Sequence, residues 1–138
     1  MPIVEITSLI FTGMNTLAKL VTAYYSARKD QRQLSSQEVA TIQQSAAEVP
    51  TAKLKQAKSR LSVIDSDILE TINGNIDKEK KRLIDALKDP ANSQQAKDEA
   101  CERANSVICR ELKRIAKLNG GKLPPGDYKK WWESHGCA

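Results

Sequence analysis

Cys101, Cys109, His135 and Cys137 have the widest chemical range of any residues in the chain, and together they supply four donors of the kind zinc prefers. Their spacing argues against a shared ion. Cys101 and Cys109 belong to one helical pattern, where eight residues at about 1.5 Å rise set them roughly 12 Å apart. Sulfurs on a single zinc lie within about 4 Å of each other. The same separation forbids a disulfide between these two. Cys137 is in reach of either one, but an odd number of cysteines in this setting reads as reduced intracellular thiols. A thiol nucleophile would need the sole histidine beside it, and His135 falls in a glycine-containing C-terminal tail expected to be mobile. Cys101 and Cys109 read instead as small core residues.

Other catalytic patterns are weaker still. Asp65, Asp67 and Glu70 read as a solvated helix surface. Gly120-Gly121 and Gly74 do not follow a strand, so no phosphate-cradling loop is expected. The reading is of a protein that is not an enzyme, with no cofactor, no metal and no small-molecule substrate indicated.

Two patterns point to binding. Arg110, Lys113, Arg114 and Lys117 fall on one helical face, followed by Lys122, Lys129 and Lys130; between positions 110 and 130 only Glu111 and Asp127 oppose these cations. Such a stripe would neutralise phosphates, and Trp131 or Trp132 would stack on an unpaired base. The competing reading has the tryptophans pinning the last helix to the bundle, one in the core and one partly covered. The second pattern is the apolar first helix, in which Ile10, Leu17 and Tyr24 share a seven-residue row flanked by Phe11 and Leu20. That surface is broad enough to associate with a second copy or a protein partner. The alternative is a central helix enclosed by its own chain. Docking of the same helix on a membrane is a further alternative, although its polar side carries few cations.

The elements that must position these residues are all helical. An unbroken pattern runs from Ile3 to Lys29. Ser35-Ser-Gln-Glu38 has the form of a capping box that opens a second helix, expected to end near Val49 ahead of Pro50. A third helix is expected from Thr51 through Leu54, Leu61, Ile68 and Ile72 to Gly74. A fourth then runs to Leu87, unless 51–89 is a single helix interrupted by a tolerated glycine. Asp89 before Pro90 reads as the cap of a long helix ending at Asn119-Gly120-Gly121. After the Pro124-Pro125 turn, Asp127 is expected to cap a short helix bearing Tyr128, Trp131 and Trp132.

Composition agrees. The chain has 138 residues with 40% apolar but only 4% aromatic side chains, six glycines and five prolines, which disfavours a turn-rich β architecture. The fold expected is an all-α, four- or five-helix bundle, a single helical domain over 1–138, with 123–138 forming the turn and short terminal helix. The net charge of +5 arises mainly from the C-terminal part of the chain. Glu5, Asn15 and Lys19 interrupt the first helix too often for a membrane span, and the N-terminus lacks the pattern of a signal peptide, so the expected location is cytoplasmic. The function expected is that of a non-enzymatic helical interaction module, self-associating or adaptor-like through the first helix, with a membrane-docking or membrane-permeabilising helical effector and nucleic-acid binding through the basic C-terminal helix as alternatives.

Overall fold

Five helices and no strand are present among the described residues of the computed structural model, which are 3–44, 63–124 and 126–137, with side chains described from 13 and 65 onward in the first two segments. They are α1 (Ile3–Lys29), α2 (Ser36–Gln44), α3 (Val63–Lys88), α4 (Gln94–Leu118) and α5 (Asp127–Ser134). The chain is an all-α bundle. None of the described helices is long and apolar enough to cross a membrane.

Local chemistry sets the boundaries. The capping box opens α2: Ser35 Oγ accepts from the Glu38 amide at 3.1 Å, and Glu38 Oε1 accepts from the Ser35 amide at 3.4 Å. The predicted end near Val49 and the helix from Thr51 with Leu54 and Leu61 lie outside the described residues. The helix break expected at Gly74 is absent, because α3 is continuous from Val63 to Lys88. Its buried positions Leu69, Ile72, Ile76 and Leu83 keep helical spacing across the glycine. Interrupting that seam would cost more than the roughly 1 kcal/mol penalty of a mid-helix glycine.

The start of α4 also differs from expectation. Asp89 does not cap it; its Oδ1 accepts from the Ala91 amide at 2.9 Å and closes a turn, while Ser93 Oγ accepts from the Ala96 amide at 3.1 Å as the true cap. Serine at this position satisfies an otherwise orphaned helix amide, which Asp89 spends on the turn instead. At the far end Asn119 is the C-cap, and Gly121 donates back to the Ala116 carbonyl at 2.7 Å. Gly120 has φ 69°, a left-handed conformation that glycine adopts freely. α5 starts directly after Gly126, with no side-chain cap from Asp127.

The core lies among α1, α3 and α4. α4 runs against α3, since Asn75 meets Glu111 while Glu79 meets Arg103, and α1 runs with α3, since Gly13 lies against Ile76 while Tyr24 lies near Leu87 and Gln94. A Cβ on Gly13 would stand 3.1 Å from Ile76 Cγ2, so glycine allows α1 to approach α3 closely here. Met14, Leu17, Leu20 and Val21 of α1 pack with Ile72, Ile76 and Leu83 of α3 and Ile108, Leu112 and Ile115 of α4.

Three residues of the expected association surface are internal instead. Leu17 and Leu20 are 0% exposed and Tyr24 is 2% exposed within the protomer. The side chains of Ile10 and Phe11 lie outside those described. The physical reason is that α1 is covered by α3 on one side and α4 on the other, with Val39 of α2 joining the same core, so its broad apolar face finds partners within the chain. Tyr24 is also fixed by polar contacts. Its hydroxyl donates to Asp98 Oδ1 and accepts from Gln94 Nε2 at 2.5 Å, while Arg28 pairs with Asp98 at 3.1 and 3.3 Å. Burial and the neighbouring carboxylate hold the Tyr24 phenol well above its ordinary range, and the hydrogen bond from Tyr24 is the main cause holding Asp98 below its own.

Candidate nucleic-acid interface

The basic stripe of α4 divides into two kinds of residue. Glu111 occupies a position on the apolar face, between Ile108 and Leu112 on one side and Ile115 a turn later, and is 0% exposed. Its Oε1 accepts from Arg110 Nε at 3.1 Å, Arg114 Nη1 at 3.0 Å and Asn75 Nδ2 at 3.1 Å. Its Oε2 has no hydrogen-bond partner among the described residues. A buried carboxylate needs such compensation, because removing it from water without a counter-charge costs several kcal/mol. Arg110 and Arg114 are therefore engaged in the fold, although about half of the Arg110 side chain and two-fifths of that of Arg114 remain exposed.

Lys113 and Lys117 are different. Both are exposed, as are Lys122 beyond the helix and Lys129 and Lys130 on α5. None of these five forms an ion pair with a described residue. The two tryptophans also separate: Trp131 is buried and meets Tyr128 edge to face at 5.2 Å between ring centroids, whereas Trp132 is half-buried at the margin. Trp131 thus pins α5 to the bundle, and only Trp132 has a face near solvent.

What holds α5 beside α4 overturns two expectations. Cys109 and Cys137 form a disulfide, with S–S 2.08 Å and Cα–Cα 5.2 Å, so they are not reduced thiols. The C-terminal fold brings position 137 back alongside α4, which sequence separation could permit but not reveal. His135 is not in a mobile tail either; it is buried. Asn105 Nδ2 donates to the His135 carbonyl at 2.8 Å, and Asn105 Oδ1 lies 2.8 Å from His135 Nδ1. With the amide nitrogen already donating, Oδ1 is the acceptor and Nδ1 carries the imidazole proton. Nε2 is then an unprotonated, buried nitrogen without a hydrogen-bond partner among the described residues, and burial lowers the pKa of the ring.

The four potential metal donors do not come together as free ligands. Two are joined to each other, and Cys101 lies in the core, its thiol pushed up to about 12 by burial and by Asp98. Among the described residues no group of three histidine, cysteine or carboxylate side chains has metal-holding geometry.

Two depressions flank the stripe. One, of about 430 Å³, is lined by Ile68 and Leu118 and sets Asp65 and Asp67 against Arg114 and Lys117, so its charges largely cancel. The other lies further along the α3–α4 seam and is mostly cationic; sequence reasoning missed it because its residues come from two helices. A signal for the buried Glu111 was present. It falls within the apolar spacing of Ile108, Leu112 and Ile115, where an acid must have cationic neighbours to be tolerated.

Comparison with family models, with curated proteins and with solved structures gave no match for the chain.

Proposed function

We propose that this chain is a non-enzymatic helical interaction module that binds the phosphate backbone of a nucleic acid through the exposed lysines of α4 and α5. The observation that carries this reading is the division of the basic stripe. Arg110 and Arg114 compensate a buried acid, whereas Lys113, Lys117, Lys122, Lys129 and Lys130 are exposed without an ion pair among the described residues. Unpaired surface cations give up little on meeting phosphates, and releasing the counterions condensed on the polymer drives association. The disulfide and the Asn105–His135 pair hold α5 against α4, so the lysines of both helices belong to one braced unit. Half-buried Trp132 supplies an aromatic edge at the same end.

Fluorescence anisotropy with a labelled single-stranded oligonucleotide at low salt tests this reading. Binding is expected for the natural chain and should fall by at least about tenfold when Lys113, Lys117, Lys129 and Lys130 are all replaced by glutamine. Unchanged binding in that variant, with its helix content intact, would remove the reading.

Self-association is a second reading, now confined to the first turns of α1. It rests on the continuity of that helix back to Ile3 through a stretch carrying Ile10 and Phe11. A concentration-independent mass of 15.3 kDa by light scattering would exclude it.

A further inference from the structure

The second depression on the α3–α4 seam, about 310 Å³ in volume, has four basic side chains at its rim: Lys78 and Arg82 from α3, Arg103 and Arg110 from α4. Only Arg110 belongs to the stripe discussed above. We infer that this groove binds a compact anion carrying two or more adjacent phosphates.

The argument begins with Glu79. Its side chain is 5% exposed, and one oxygen, Oε2, takes Arg82 Nη1 at 3.2 Å and Arg103 Nε at 3.8 Å. A buried carboxylate therefore restrains two guanidinium groups that are themselves 40% and 61% exposed. Glu111 does the same for Arg110, which is 54% exposed. Arginines held in this way lose less rotamer freedom on binding, and their planar forks match phosphate oxygens two at a time. At the rim four cations are opposed by Glu79 and, behind Arg110, by a Glu111 already shared with Arg114, so the groove retains a positive excess after internal pairing. Val107 lines it between these charges and supplies an apolar patch.

Size and surroundings favour a compact ligand over a polymer. The volume is at the low end for small-molecule sites, about 300–1,000 Å³. Arg103 and Arg110 are two helical turns apart, roughly 10 Å along α4, a spacing that suits an anion with more than one charged group. At the Arg82–Arg103 end the groove runs toward exposed Asp85 and Glu99, three and four residues from those arginines on their own helices. An extended polyanion continuing that way would meet like charge. The same chemistry occurs in soluble oligophosphate esters and in polyphosphorylated lipid headgroups.

Titration calorimetry of the full chain with tripolyphosphate at low salt is the first test, with vesicles bearing a polyphosphorylated inositol headgroup as a parallel arm. Saturable binding is expected in solution or on those vesicles, and the arm that responds identifies the source. Arg103→Gln with Arg110→Gln should weaken it at least about tenfold, whereas Lys129→Gln with Lys130→Gln should leave it within about threefold. The first pair should fold normally, because Glu79 keeps Arg82 and Glu111 keeps Arg114; an unchanged melting profile checks this. The inference is overturned by absence of binding in both arms, or by equal weakening in the two variants, which would reveal a general charge effect. It is also overturned if the arginine pair weakens oligonucleotide binding as much as tripolyphosphate binding, since the groove would then be part of the polymer face. Loss of oligonucleotide binding in the lysine variants alone leaves it standing.

Discussion

The α1–α3–α4 seam and the α4–α5 junction are both buried, but they are held by different forces. The seam consists of many apolar side chains, among them Met14, Leu17, Leu20, Ile72, Ile76, Leu83, Ile108 and Leu112, each enclosed by several others. The junction depends on a few specific restraints: the Cys109–Cys137 disulfide, the paired Asn105–His135 contacts and Trp131 against Tyr128. Distributed packing tolerates modest change at any one site, whereas a small set of restraints fails stepwise as each is removed. Separate perturbations should therefore unfold the seam as a whole but only detach the junction.

The largest effect is expected at Leu17. Leu17→Asp places an unpaired charge at a fully buried position and should destabilise the bundle by at least about 4 kcal/mol, seen as loss of the helical signal in thermal melts. A folded variant with an unchanged melting temperature would mean that the residue is not internal. Next comes the disulfide. Cys109→Ser removes a link between residues 28 apart in sequence and should cost roughly 2–4 kcal/mol. Near-ultraviolet dichroism from the tryptophans should weaken while most helix content remains; simultaneous loss of both signals would show that the junction and seam are one unit.

A smaller effect concerns acidity. The folded state lowers the His135 pKa, so it takes up that proton at lower pH than the unfolded chain does. The contribution of this group is complete above about 6.5 and is lost as pH falls through the histidine range. Asp98 and Glu38, both held below the ordinary carboxylate range, lose theirs only further down, below about 4. Melting temperature should thus decline in two stages, and His135→Gln should flatten the upper one. The smallest effect is at the start of α4, where Ser93→Ala removes the cap and should cost about 1 kcal/mol in urea unfolding without altering the junction.

How much of this was legible in sequence follows the same division. The bundle was legible because apolar residues recur at three and four residue steps in α1, α3 and α4, and because Ser35 with Glu38 and Asn119 with Gly120 carry local end signals. The continuity of α3 was undecided because a glycine marks a break or a tolerated exception depending on whether the seam continues past it. The α4–α5 junction is misread from sequence: the Cys109–Cys137 pairing and the burial of His135 depend on where the chain returning after Leu118 ends, which no local pattern encodes. The stripe was found, but its division was not, since that depends on Glu111 pointing inward and on Asn75 reaching it from another helix. The cationic groove required the register of α3 against α4, which sequence alone leaves open.

The most direct test of the central claim is the slope of log affinity for a single-stranded oligonucleotide against log salt concentration. If Lys113, Lys117, Lys129 and Lys130 each neutralise a phosphate, the natural chain should give a slope of about −3, and a variant with all four replaced by glutamine a slope near zero. The same slope in both proteins, or no binding by the natural chain at low salt, would contradict the account.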